Sequence, residues 1–469
     1  MSAPLVWIVL PIAAAVGLAL LRSRERLVSL LGALTAAALG LFAWAAPAEG
    51  VMRLGPLALE LEESIGFLGR RFVLEASDRP ILALIYLGLA YWLFGAWAAN
   101  PGQLFVPLAL AVTALLTAAL AVEPFLYAGL LILMAVLASI PMLLPPGRAA
   151  GKGVMRYLTF QTLGMPFLLF TGWLLEGAEA GAGTAALSAS VGLLTGLGFA
   201  FLLAIFPFHT WIPMLAEENH PYVSAFIFFM LPLSVSLFAL GFLEQYPWLQ
   251  EAPGIYAYLR LTGALMVIAS GVWAAFQRHL GRLLGFTAAF EIGISLLALS
   301  LAVGPGRVDL GLFFASLLPR GVGLATVALA MVKLQEHYPE PLLSRVQGAA
   351  RRLPLASAAL VTGLLALTGF PLLAGFPVRV ALWRGLAEQF PLALVLALTG
   401  SAGLLMGSLR VLVGLLMGQE EGPWRISETG LSGMLLAAGI LFLIAAGLLP
   451  QFFLPFFARM GAAFPAFGP

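Results

Sequence analysis

Three ionisable residues stand inside long apolar runs. Glu291 lies nine residues past Arg282 in RLLGFTAAFEIGISLLALSL, Arg320 interrupts DLGLFFASLLPRGVGLATVALAMV, and Arg379 follows TGFPLLAGFPV. At 1.5 Å per helical residue, Glu291 is about 13 Å beyond Arg282. A charge at bilayer depth costs about 2.5–3.5 kcal/mol on insertion scales, so it is normally kept only for a purpose. Two kinds of chemistry fit. Glu291 can exchange a proton, whereas arginine stays charged and cannot itself relay one, so the three could line an ion path or switch. Alternatively, a carboxylate and an arginine make a buried pair that fixes helix packing. Their similar depth places Glu291 within ion-pair reach, about 4 Å, of Arg320 or Arg379. His209, in PFHTWIP, brings an imidazole that titrates near physiological pH; its other role is capping or loop anchoring beside Trp211 and Pro213. Glu123 is the one acid at the edge of the run containing LLILMA (130–135). His220, His279 and His337 read as solvated or interfacial, and Glu217–Glu218 as a solvated acidic pair. The absence of cysteine excludes disulfides, thiolate zinc sites and iron–sulfur ligation. No metal or cofactor site is expected. Strings such as GLGF are packing positions, not phosphate loops.

The elements that must position these residues are set by composition. Of the 469 residues, 61% are hydrophobic and 10% charged, with mean hydropathy +1.02. Soluble domains carry about 25% charged residues; this chain belongs in a bilayer. A net charge of +2 leaves no nucleic-acid footprint. Apolar runs near 4–21, 27–46, 80–99, 103–122, 124–144, 154–175, 187–207, 222–243, 258–276, 283–303, 310–332, 355–385, 392–416 and 431–449 predict about fourteen transmembrane helices, without the period-2 alternation of a barrel. Segment 47–79 is the one sizeable outer loop, expected as a hairpin with short strands, and 334–353 is the main cytoplasmic linker. Thirteen of 24 basic residues fall in loops on the Arg22 side and seven on the other. That sorting puts both termini outside the inner (cytoplasmic) membrane. The N-terminal run is a retained helix, since its arginines follow it rather than precede it.

Two runs are broken by proline. The seventh reads GFAFLLAIFPFHTWIP (198–213), and the twelfth TGFPLLAGFPVR (368–379). Proline removes a ladder hydrogen bond and kinks the helix. The breaks lie five helices apart, an odd number, so two five-helix units would be inverted in the membrane. The chain divides accordingly: 1–102, three helices with the outer loop; 103–243, the first repeat; 258–416, the second; and 431–469, the last helix and tail.

Fourteen helices, PFHTWIP after the seventh and GFPLLAGF in the twelfth resemble the antiporter-like membrane subunits of respiratory complex I. That family is shared with multisubunit cation/proton antiporters and membrane-bound hydrogenases. Phe72 to Asp78, the run Val223, Ser224, Ala225 and the stretch QRHLGRLLGFTAAFEIG (277–293) are similar to further family segments. The resemblance implies a subunit of a redox-linked, proton-translocating assembly, binding no redox cofactor, containing no active site and surrounded by other membrane subunits. The alternatives are a subunit of a non-redox ion-coupled complex (a cation/proton antiporter or inorganic-carbon uptake system) or a structural spacer. The family carries protons on buried lysines, glutamates and histidines. By resemblance, its seventh-helix lysine falls at Leu202, and its fifth-helix glutamate falls in the region LLILMA. A tenth-helix histidine falls at Glu291, an eleventh-helix histidine and lysine near Pro319 and Gly323, and a twelfth-helix lysine or glutamate at Arg379. The aspartate and lysine that open the tenth helix are His279 and Gly281. The N-terminal proton path is therefore expected to be degenerate.

Overall fold

The computed structural model describes residues 2–45, 51–54, 57–67, 69–144, 147, 149–178, 185–250, 253–304, 307–308, 310–417, 428 and 430–464. Seventeen helices matter here. In chain order they are α1 (Leu5–Leu20), α2 (Glu25–Ala45), α3 (Arg79–Ala99), α4 (Phe105–Ala121), α5 (Ala128–Leu143), α6 (Lys152–Ala178), α7 (Ala185–Leu202), α8 (Trp211–Glu218), α9 (Pro221–Gln245), α10 (Pro253–Ala275), α11 (Leu280–Ser300), α12 (Gly311–Gln335), α13 (Pro354–Thr368), α14 (Phe376–Gln389), α15 (Pro391–Leu416), α16 (Gly430–Leu448) and α17 (Pro450–Ala458). Among the described residues, ten helices are at least 18 residues long and apolar enough to cross a bilayer, and four shorter apolar helices fall on the remaining runs. The chain is an all-α polytopic membrane protein. Between α2 and α3 the chain forms short antiparallel pairs, β1 (Val51–Leu54) with β2 (Leu57–Glu60), and β3 (Ser64–Phe67) with β4 (Arg70–Val73).

The chain forms two compact units. One comprises Met1–Ala150, Met155–Ala204 and Met230–Gln250; the other comprises Gly151–Val154, Ile205–Phe229 and Glu251–Pro469. In the first, α2 lies close against α3: a Cβ on Gly40 would come within 2.9 Å of the Leu87 backbone nitrogen. Phe125 stacks on Phe238 and Phe242 at 5.1 and 4.5 Å. In the second, α10 and α15 meet backbone to backbone, with Gly271 against Gly400 and Gly403. Small residues permit that approach in lipid, where packing rather than hydrophobicity drives association. Helix α11 is buried on every side: from Leu283 to Ser300 only Phe286 is partly accessible. A helix apolar all round belongs in the interior.

Both interruptions occur at the proline-broken runs. Helix α7 stops at Leu202; Ala204 takes a left-handed φ of 53°, and the chain resumes as a tight turn, Phe208–Thr210, leading into α8. Helix α13 stops at Thr368 because Gly369 adopts φ 81°, a conformation that glycine takes without strain. Helix α14 then opens with Pro377 in its first turn, where a missing N–H is harmless.

Candidate functional site

The break between α13 and α14 builds the site. Gly369 turns the chain, and a Cβ there would also sit 3.0 Å from the Arg379 Cβ, so a larger residue collides with that side chain's stem. Arg379, 3% exposed, is thereby directed at two acceptors. Its Nη2 donates to the Glu291 carboxylate on α11 and, at 3.0 Å, to the Leu367 carbonyl in the last turn of α13. The last carbonyls of a helix have no intrahelical donor, and in lipid an unmet one costs several kcal/mol. Glu291 is 2% exposed. The expected pairing is present, with Arg379 as the partner.

Arg320 has a different role. It is 1% exposed, and no carboxylate lies within 4 Å of it among the described residues. Its Nη2 donates to the Phe228 carbonyl of α9 at 2.7 Å, and its Nη1 makes a long 3.4 Å contact with the Ser295 hydroxyl. Glu291, Arg320 and Arg379 therefore do gather in one buried region, but only the outer two sequence partners form an ion pair.

His209 is buried and stacks on Phe206 at 5.5 Å between ring centroids, and its Nδ1 has no hydrogen-bond partner among the described residues. Among the described residues, Arg379 donates to Glu291 and Leu367 and not to His209. Glu123 is exposed in a short strand, β5 (Val122–Glu123), opposite Arg71 of β4; it is outside the buried cluster. Among the described residues, no group of three or more His, Asp or Glu side chains gathers as a metal site would require.

Sequence reasoning missed several groups. Glu218 does not simply face solvent: its Oε2 accepts the Gly153 N–H at 2.7 Å and so caps the start of α6. Glu217 pairs with Arg282 at 2.6 Å, half-exposed. His279 is the N-cap of α11, its Nδ1 accepting the Gly281 N–H at 3.1 Å. Burial pushes its imidazole below the usual range, Glu217 opposes that shift, and Arg282 reinforces it. Gln161, 1% exposed, donates to the Leu202 carbonyl at 3.2 Å. The polar service that α7 receives at its broken end thus comes from a neutral amide on α6. Ser295 donates to the Glu291 carbonyl at 3.1 Å.

The comparisons agree with this architecture. The family profile described as "NADH:quinone oxidoreductase/Mrp antiporter, TM" matches residues 167–405, which hold α9 to α14 and the whole Glu291–Arg379 site. The NADH-quinone oxidoreductase subunit N of Rhodopseudomonas palustris (strain BisA53) is 30% identical over 76% of this chain and 72% of its own length. Subunit 14 of the Thermus thermophilus NADH-quinone oxidoreductase is 30% identical over 66% and 70%. Among solved structures, a chain of the Mrp complex from Dietzia sp. DQ12-45-1b superposes with TM-score 0.76 at 18% identity, covering 99% of this chain and 97% of that one. A chain of Thermus thermophilus respiratory complex I superposes with TM-score 0.73 at 21% identity, covering 98% and 100%. These likenesses establish the fold, and both neighbours are parts of multisubunit membrane complexes. With half its length matching the profile and a 30% identical relative matched over most of both chains, this protein belongs to the NADH:quinone oxidoreductase/Mrp antiporter transmembrane family.

Proposed function

We propose that the chain is an antiporter-like membrane subunit of a complex I-type, redox-linked proton-translocating assembly, with electron transfer resident in other chains. Sequence kinship favours this over a cation/proton antiporter subunit: the relatives at 30% identity are NADH-quinone oxidoreductase subunits, whereas the likeness to the Mrp chain is one of fold. One observation carries the reading of the site. Arg379 holds a carboxylate on α11 and a helix-end carbonyl on α13 at once. That makes the pair an electrostatic latch on a broken helix, with arginine's permanent charge holding the carboxylate as a fixed countercharge. The N-terminal proton path is degenerate in this reading. Leu202 and LLILMA stand where the resemblance places a lysine and a glutamate, and Glu123 lies exposed. Affinity purification from native membranes tests the assembly. Co-purification with chains bearing flavin or iron–sulfur chromophores is expected. Recovery with antiporter chains alone would overturn the redox reading.

The same proposal includes fourteen crossings of the inner membrane, inverted repeats at 103–243 and 258–416, and both termini outside. The odd spacing of the breaks and the sorting of basic loops support it. Because the sequence has no cysteine, single cysteines report sidedness without background. A membrane-impermeant maleimide should label Glu63→Cys in intact cells and Ser23→Cys only after permeabilisation. The opposite pattern would overturn the orientation.

A further inference from the structure

Helix α9 contains a proline, Pro232, well inside its length. Proline has no N–H, so the carbonyl four residues earlier, that of Phe228, loses its intrahelical donor. Phe228 is 1% exposed, so the orphan is remote from solvent. Arg320 Nη2 fills the gap at 2.7 Å. From Arg320 the contacts continue through Nη1 to the Ser295 hydroxyl at 3.4 Å, and from that hydroxyl to the Glu291 carbonyl at 3.1 Å. The Glu291 carboxylate then meets Arg379, which ends on the Leu367 carbonyl. This sequence of contacts crosses five helices: α9, α12, α11, α14 and α13. Each end is a backbone oxygen deprived of its helical donor, one by proline and one by a helix terminus.

We infer that Arg320 is a positioning residue: it plugs the proline break of α9 and, through Ser295, seats the stretch of α11 that presents Glu291 to Arg379. Its charge is spent on neutral oxygens rather than on a carboxylate, which is why it does not compete with Arg379. Pro232 and Arg320 are therefore one functional unit. The proline creates the acceptor that the arginine needs, and without the arginine the proline leaves a buried carbonyl unmet. This deepens the latch reading proposed above and rests on it for its link to Glu291.

A double-substitution cycle in the assembled complex tests the inference, with Arg320→Met, Pro232→Ala and the two combined. Alanine restores the N–H at position 232 and with it the ladder bond to Phe228. Arg320→Met alone should lower the yield of assembled complex about tenfold, the scale of one orphaned buried acceptor. Adding Pro232→Ala should restore it to within about threefold of Pro232→Ala alone. Unrestored yield, or no loss in Arg320→Met, would overturn the inference. A second readout separates seating from charge. The charged groups facing Glu291 are Arg379 from α14 and Arg320 from α12, while α9 and α13 bring carbonyl oxygens to the network. If Arg320 works by seating α11, Arg320→Lys, which keeps the charge but loses the two-pronged donor, should also lower the yield, and Pro232→Ala should restore it. Parental yield in Arg320→Lys would show that Arg320 acts on Glu291 as a charge, and would also overturn the inference. The yield cycle reads Arg320 against Pro232 whichever partner chains co-purify. Its failure is thus distinct from failure of the redox assignment.

Discussion

Removing one member of the Glu291–Arg379 pair should be far more damaging than removing both. Glu291→Gln keeps the side chain's size and one acceptor oxygen but gives up the countercharge. Arg379, at 3% exposure, cannot turn to water for a replacement. One-sided loss of a buried pair costs about 3–5 kcal/mol, or two to four orders of magnitude in a folding equilibrium at about 1.4 kcal/mol per tenfold. Arg379→Met should cost a similar amount by stranding the carboxylate. Glu291→Leu is the matching single corner and should cost at least as much as Glu291→Gln, since it also removes the acceptor; combined with Arg379→Met it removes both charges, and the remaining penalty is the Leu367 carbonyl, left without its donor at about 1–3 kcal/mol. The two single penalties sum to about 6–10 kcal/mol, so the cycle should show at least about 3 kcal/mol of coupling, whereas independent sites would add. Unfolding titrations of the purified chain in mixed micelles measure each corner, and complex yield provides a second reading. Additive penalties would refute the closed pair. A Glu291→Gln complex that assembles normally but moves no protons would refute the structural reading and make Glu291 a proton carrier.

Three further outcomes are expected. Gly369→Ala forces a side chain into φ 81° and against the Arg379 stem; it should cost at least about 1–2 kcal/mol in the same titration, and a neutral result would mean that the break can relax. Gln161→Leu orphans the Leu202 carbonyl and should cost about 1–3 kcal/mol, while an unchanged midpoint would indicate that another donor serves the broken end of α7. His279 caps α11 only while Nδ1 is unprotonated, and its folded-state affinity for a proton is lowered, chiefly by burial. Its contribution to stability is thus present above about pH 6.5, the unfolded value, and is lost as pH falls through the lower folded value. His279→Asn, which caps without titrating, should flatten the fall in melting temperature as pH drops below about 6.5; a slope equal to that of the parent would remove His279 from the account.

The sequence reveals the helices and the depth of the charges, but not how charges choose partners. Hydropathy locates α11, α12 and the run that breaks into α13 and α14, because crossing a bilayer demands long apolar runs. It is silent on azimuth for α11, which is buried all round and has no polar face to reveal its neighbours. Glu291 could be placed beside two arginines, yet only the structure separates Arg379, aimed by the Gly369 turn, from Arg320, held by a backbone oxygen. Backbone acceptors leave no letter in the sequence unless a proline marks them; Pro232 is such a mark, set in an otherwise ordinary apolar run. Glu218 and Gln161 were illegible for a related reason. Each serves a helix terminus far away in the chain, 65 and 41 residues distant, and no local pattern predicts such service. Glu123 shows the opposite error: nearness to a helix edge did not bring it into the interior.

The separation of 88 residues between Glu291 and Arg379 also has a consequence for biosynthesis. At about 5–20 residues per second, the ribosome needs roughly 4–18 s after making Glu291 to deliver its partner. During that interval α11 holds an acid without its ion-pair partner. The insertion penalty of a single charge, about 2.5–3.5 kcal/mol, is small beside the apolar length around it, so the segment can enter the bilayer early and wait. The Glu291–Arg379 contact can then form only once α14 has been made. A nascent chain truncated before Arg379 carries Glu291 without the guanidinium that meets it in the finished fold.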